Sequence, residues 1–311
     1  MSAPTNPDAA ILVVGSVAYD TVATPRERRA RQLGGSACYF SLAASHFASV
    51  RAVGVVGEDF RAEDLDLLRR QGVDTTGIER REGATFHWSG RYHDDMIERD
   101  TLATELGVFA DFSPVLPEGW EETPYLFLAN IHPVLQRHVL EAMRRPRLVV
   151  LDTMNLWIKT TRADLEAILP RVDVLLLNDS EARLLSGERS LARAAARIRE
   201  MGPRRLVIKK GEHGALLFGA TTELAVPALL LPEVVDPTGA GDSFAGGFVG
   251  HLAAAGAAGA TSDDTPFRQA MVDATAVASF CPEGFSVEGL LRADPAALAR
   301  RRQRLLDMMI P

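Results

Sequence analysis

The chain has 311 residues, 47% of them apolar, which is enough to bury a core in one large α/β domain or two smaller ones. Its net charge of −7 argues against non-specific nucleic-acid binding. Two cysteines, Cys38 and Cys281, are too few for a disulfide framework and fit a reducing compartment, so the cytoplasm is expected.

Residues 1–10 are polar and carry neither a basic region nor an apolar stretch. They read as a flexible tail ahead of a single domain over 11–311. No apolar run approaches the length of a membrane span, so no membrane partner is expected. An apolar run over 11–14 reads as the first buried strand, followed by Gly15-Ser16-Val17-Ala18-Tyr19-Asp20. Residues 21–33 break the pattern, and their arginine run over 26–31 reads as a solvated edge. Gly34-Gly35 then opens a helical run over 37–47. A strand over 51–56 and a helix over 62–70 follow. Residues 84–112 break the alternation again, with Phe86, Trp88 and Tyr92 spaced as in an exposed β-ribbon. A loop of that length bearing aromatics is unusual unless it covers something.

Further strands are expected at 125–128, 148–151, 172–177 and 206–208, and helices at 133–144, 162–169, 190–201 and 266–280. Continuous apolar strands alternating with amphipathic helices imply an α/β fold with a mostly parallel sheet covered on both faces. Ligands of such sheets sit beyond the carboxyl ends of the strands. Asp20, Gly34, Asn130, Asn155, Asn178 and Asp242 all follow apolar strand runs, so one cleft can collect them.

The most informative stretch runs Asp236-Pro237-Thr238-Gly239-Ala240-Gly241-Asp242-Ser243-Phe244-Ala245-Gly246-Gly247-Phe248. A glycine turn at a helix start leaves backbone N–H groups pointing at one spot, where the helix dipole favours an anion. Asp242 stands at its mouth. The stretch lacks the Gly-Lys pair of a P-loop. Phe244 replaces the third glycine of the dinucleotide fingerprint, and Ala245 replaces the last glycine of a nucleophile elbow. An anion hole with a carboxylate beside it suits phosphoryl transfer to a hydroxyl.

Those thirteen residues resemble the C-terminal signature of the PfkB, or ribokinase, family of carbohydrate kinases. Gly15 to Asp20 resembles the family's first-strand element with its substrate aspartate, and Gly34-Gly35 its substrate-side glycine pair. Val53-Gly54-Val55-Val56-Gly57-Glu58-Asp59 is similar to its G-x-V-G-x-D element, Asn178-Asp179-Ser180-Glu181 to its N-x-x-E motif, and Lys209-Lys210-Gly211-Glu212-His213-Gly214 to its nucleotide-side turn. These stand in family order over nearly the whole chain.

The resemblance implies a ribokinase-like three-layer α/β/α fold with a small β-sheet lid from segments near 21–33 and 84–112, which in the family often serves dimerisation. It implies transfer of the γ-phosphate of ATP to a hydroxymethyl group. Asp242 would take the proton, and Gly239, Ala240 and Gly241 would hold the developing charge. Asp20, Gly34, Gly35, Tyr39 and Asn130 would face the substrate. Asn178, Glu181, Lys209, Gly211 and Gly214 would face ATP, with Glu181 reaching Mg²⁺ through water. Asp236, Thr238, Ser279, Gly284 and Ser286 would surround a monovalent cation such as K⁺.

Asp152 and Asn155 resemble a D-x-N element whose usual basic neighbour is displaced, with Lys159 the nearest candidate. A turn-forming pair fits them equally. Ala18 and Tyr39 stand where ribokinase has asparagines that contact the sugar, which argues against free ribose. Tyr39, Phe86, Trp88 and Phe109 either stack on a flat base or line the lid. Sugar kinase and nucleoside kinase therefore both stand, and a third reading is a non-catalytic small-molecule sensor on the same fold.

Overall fold

The computed structural model describes residues 7–309. The strands are β1 (Ile11–Val14), β2 (Ala18–Ala23), β3 (Arg28–Gly34), β4 (Val50–Val56), β5 (Val73–Arg80), β6 (His87–Tyr92), β7 (Arg99–Glu105), β8 (Tyr125–Leu128), β9 (Leu148–Asp152), β10 (Val174–Asn178), β11 (Arg205–Lys209), β12 (Ala215–Phe218) and β13 (Glu223–Val226). The helices are α1 (Ser36–Ala44), α2 (Ala62–Arg70), α3 (Pro133–Ala142), α4 (Asn155–Thr160), α5 (Arg162–Ile168), α6 (Asp179–Ser186), α7 (Leu191–Glu200), α8 (Ala240–Ala254), α9 (Thr265–Ala278) and α10 (Pro295–Met309).

Nine strands form the central sheet in the order β13-β12-β11-β10-β9-β8-β1-β4-β5. Its pairs are parallel from β5 across to β11, and the β12 and β13 pairings are antiparallel. Alternation along each strand divides the core between two faces. Ile11, Val13, Tyr125 and Phe127 pack with α1, α8 and α9, whereas Leu12, Val14, Leu126 and Leu128 pack with α3, α5, α6 and α7. Helix α8 lies close to its neighbours because it is rich in small residues. A Cβ on Gly246 would overlap the Phe40 carbonyl, and one on Gly247 would come within 2.9 Å of Ala274 Cα.

The smaller sheet has the order β3-β2-β6-β7. The first lid segment starts at Ala18 rather than near residue 21, which puts Asp20 on a lid strand. Asp59, in the G-x-V-G-x-D element, accepts bonds from Thr85 N (2.7 Å) and Oγ1 (2.6 Å) and so ties the second lid segment to the body. The arginine run is spent on neighbours: Arg26 pairs with Glu233, Arg31 with Asp59, and Arg29 lies over the Phe285 ring.

The tail expectation needs correction over part of its length. Residues 1–6 lie outside the described residues. Pro7–Ala9 form a 3₁₀ turn, and Ala9 and Ala10 are buried, because Ala9 packs into the core beneath β1. No described helix is long and apolar enough to cross a membrane.

Arg205 and Asp264 form a fully buried ion pair at 2.8 Å. Asp264 also accepts from the N–H groups of Ala220, Thr221 and Thr222 and so holds the turn between β12 and β13. Burial alone would raise its carboxyl, but those N–H donors and Arg205 hold it well below the usual range. Removing one partner strands the other charge. Asp264→Ala is expected to destabilise the fold by about 3–5 kcal/mol, read from the denaturant midpoint. A shift below about 1 kcal/mol, the scale of an exposed pair, would contradict this account.

Candidate active site

The central turn of the site lies between Asp236 and α8. Gly239 caps α8 with φ +80°, a conformation glycine adopts without strain. A Cβ there would also overlap the ring of Tyr39. Tyr39 is therefore the floor of the turn, buried to 1% exposure, and not a surface for stacking a ligand. Among the described residues the N–H groups of Gly239 and Gly241 have no acceptor. The Ala240 N–H donates to the Pro237 carbonyl at 3.2 Å, which corrects the expectation that all three amides are open. That bond closes the turn at Pro237 and leaves the flanking amides free.

Asp242 is half-buried in the first turn of α8. Desolvation and the like charge of Asp152 push its carboxyl up to about 7, against the pull of Lys209 and Arg99. Lys209, at the end of β11, bonds Asp152, at the end of β9, at 2.7 Å. A side chain at Gly241 would come within 3.3 Å of Lys209 Nζ, so this cation adjoins the anion hole. Burial works against the charged lysine, but Asp152, Glu181 and Asp242 outweigh it and raise its pKa. Lys209, not the exposed Lys159, is thus the basic partner of Asp152.

Asn178 and Glu181 form a capping box at the start of α6. Asn178 Oδ1 accepts from Glu181 N at 2.8 Å, and Glu181 Oε2 accepts from Asn178 N at 2.7 Å. Their first task is therefore helical, which leaves Glu181 one carboxylate oxygen to offer. Burial pushes the Glu181 carboxyl up to about 7, with Lys209 opposing. Gly211 has open space on its Cβ side. Gly214 instead lets the strand pass the backbone of 226–228, where a Cβ would overlap the Val226 carbonyl.

On the lid side, Asp20 is buried at 6% exposure. A Cβ on Gly34 would overlap its carboxylate, and Gly35 turns there with φ +93°. Burial, then the like charge of Asp236, push Asp20 up to about 7, while the Gly35 N–H and Arg99 pull it down. In the charged stretch Glu98-Arg99-Asp100-Thr101 of the lid, Arg99 is not merely a solvated residue. It stands at the start of β7 with its guanidinium 5.5 Å from the Trp88 ring, and its charge acts on Asp20, Asp236, Glu181 and Asp242.

Three expected site residues are occupied elsewhere. Asn130 Oδ1 accepts from Trp157 Nε1 at 2.8 Å and its Nδ2 meets Met154 Sδ at 3.2 Å, so it builds the cleft wall. Ser279 donates to the Ala276 carbonyl and accepts from Arg301, and a guanidinium repels a bound cation. Ser286 Oγ donates to the Leu33 carbonyl at 2.5 Å. Gly284 is extended in the loop between them. Asp236 is different. Its Oδ1 accepts from Thr238 N at 2.9 Å, and the Ser286 N–H also faces the carboxylate, while its buried Oδ2 makes no hydrogen bond of ordinary geometry. Of the aromatics, Phe86 stacks on Phe109 at 5.5 Å and Trp88 carries Arg99. His132 caps α3 through Nδ1.

The pfkB family carbohydrate kinase profile matches residues 8–287. The chain belongs to the PfkB family of carbohydrate kinases. It is 30% identical over 244 residues to a cytidine kinase of Thermococcus kodakarensis, covering 77% of this chain and 87% of that one. It is 27% identical over 228 residues to 2-dehydro-3-deoxygluconokinase of Escherichia coli K12, covering 65% and 73%. A ribokinase from Cryptococcus neoformans shares its fold with TM-score 0.74 at 22% identity, over 95% of this chain and 99% of that one. This PfkB kinase is thus a phosphotransferase with an alcohol acceptor, on the ribokinase-like three-layer fold.

The pKa of Asp20 sets a pH signature. An unfolded aspartate titrates near 3.9, so below about pH 4 both states are protonated and nothing is lost. Between about pH 4 and the folded value of about 7, folding must hold a proton or bear a buried charge, and stability falls as pH rises. Asp20→Asn removes that pH-dependent loss. In the ligand-free protein, the melting temperature of the variant relative to wild type is expected to be higher at pH 8 than at pH 5. An offset that is equal at both pH values would contradict the assigned environment.

Proposed function

We propose that this PfkB kinase transfers the γ-phosphate of ATP to a hydroxymethyl group of a sugar ring held between Asp20, the Gly34–Gly35 turn and the lid. One observation carries the reading: the unpaired amides of Gly239 and Gly241 open beside Lys209 and within a turn of the Asp242 carboxylate. Such amides with a helix dipole stabilise charge building on a phosphoryl group. Asp242 accepts the hydroxyl proton and aligns the oxygen. The transition state is loose, so positioning carries most of the effect. Lys209, held by Asp152, supplies positive charge at the phosphate end. Asp20 accepts hydrogen bonds from ring hydroxyls, and the lid excludes water.

Mg²⁺ fits beside the free oxygen of Glu181, through water, and would neutralise phosphate charge. A monovalent cation fits at the unpartnered Asp236 Oδ2, without Ser279. A second reading, a nucleoside acceptor, is supported by the likeness to a cytidine kinase and by the half-buried Phe86 and Trp88 near the lid. Retention of both the carboxylate and the open amides speaks against a sensor. Leu102 on the β7 edge of the lid sheet and Leu106 just beyond that strand are exposed, which supports a homodimer through the lid. Cys38 and Cys281 are free and buried, which fits the cytoplasm.

The test is Mg²⁺-dependent ADP formation from ATP with a panel of pentoses, hexoses, sugar acids and nucleosides. At least one acceptor is expected to drive turnover, and Asp242→Asn to lower it roughly 10²–10⁴-fold with little change in ATP affinity. Near-normal turnover of the variant would remove Asp242 from the chemistry. No turnover with any acceptor class would revive the sensor.

A further inference from the structure

Tyr92, the last residue of the lid strand β6, is 4% exposed. It lies outside the two main cores, in a small cluster with Val22 and Phe285 against which Val235, Trp88 and Met96 pack. Val22 and Tyr92 come from the lid, whereas Val235 and Phe285 come from the segments that flank Asp236 and the loop beside it. The Tyr92 oxygen accepts from Thr238 Oγ1 at 3.2 Å. Thr238 is the residue before Gly239, and its own N–H binds Asp236. Arg99, the cross-strand partner of Tyr92, faces the same oxygen. A second tie runs parallel to this one, from Ser286 Oγ to the Leu33 carbonyl at the end of β3. Other polar ties, Thr85 to Asp59 and Tyr19 to Asp64, hold the lid to the body away from the turn. The ion pairs Arg26–Glu233 and Arg31–Asp59 are solvent-exposed and worth little.

We propose that Tyr92 is a positioning residue that couples the lid to the anion-hole turn. This rests on the kinase reading of the site. A lid that moves must either carry Thr238 with it or break the bond from its hydroxyl. Thr238 in turn sets where the Gly239 and Gly241 amides point. Acceptor held under the lid is thereby felt at the phosphate end, and nucleotide at the phosphate end is felt by the lid, as linkage requires. The bond joins two neutral hydroxyls and is modest, so the lid can still open.

The experiment is hydrogen–deuterium exchange on the full chain with and without MgADP, for wild type, Tyr92→Phe, Thr238→Val and Thr238→Ser. In wild type, MgADP is expected to slow exchange both in the turn 236–242 and in the lid strands β6 and β7. In Tyr92→Phe and Thr238→Val it is expected to protect the turn but to lose most of its effect on the lid. Thr238→Ser, which keeps the hydroxyl, is expected to retain the effect on the lid. With an active acceptor, Tyr92→Phe is expected to lower kcat by roughly 3–10-fold, the worth of one hydrogen bond, with KM for ATP within about twofold. Equal lid protection by MgADP in wild type and Tyr92→Phe overturns the coupling while leaving the kinase reading intact. Absence of MgADP protection at the turn in wild type overturns both.

Discussion

The structure depends on one local conformation, the left-handed turn at Gly239. Tyr39 supports it from below, and the Asp236–Thr238 bond fixes the chain that leads into it. Proline at 237 and the bond from Ala240 to its carbonyl reverse the chain within a few residues. The cost is that Gly239 and Gly241 leave their amides unpaired at the start of α8. Both residues are half-buried, and the first amides of a helix have no intrahelical acceptor, so they stay open to an anion or to solvent. The turn is therefore specified by its surroundings, and its open amides are what the proposed phosphoryl transfer would use.

The charge distribution points the same way. Asp20, Asp152, Glu181, Asp236 and Asp242 face one region, and the cations there are Lys209 and Arg99. Without ligands, three of these carboxyls are pushed up to about 7, chiefly by burial. Such crowding disfavours the folded state and is tolerated where function uses it. The Mg²⁺ and monovalent cation proposed above would relieve it. Cations bound among these carboxylates are therefore expected to stiffen the site.

Much of this was legible in the sequence, for physical reasons that differ by residue. Strands such as β1, β8 and β10 are buried on both faces and read as continuous apolar runs. The Gly239–Asp242 turn was legible as a helix start, where glycine and aspartate are common, and the flanking Asp236, Thr238 and Phe244 set it apart from an ordinary one. Strands β5 and β13 were missed because they lie at the sheet's edges and are half exposed, so their pattern is polar. Asn130 looked available because it follows a strand, yet its partner Trp157 lies 27 residues further on. Lys209 and Asp152 meet from strands 57 residues apart in sequence, and no local signal announces such a pair. Arg99 and Tyr92 stood in a polar, aromatic segment whose strand register alone decides which side chains face the cleft.

The central claim is that the start of α8 binds the phosphoryl group in flight while Asp242 holds the attacking hydroxyl. A crystal structure grown with ADP, Mg²⁺, aluminium fluoride and an active acceptor tests it most directly. The fluoride complex is expected on the Gly239 and Gly241 amides beside Lys209, with the Asp242 carboxylate within hydrogen-bond distance of the acceptor oxygen. An aluminium fluoride bound away from those amides, or an acceptor hydroxyl out of reach of Asp242, would contradict the account.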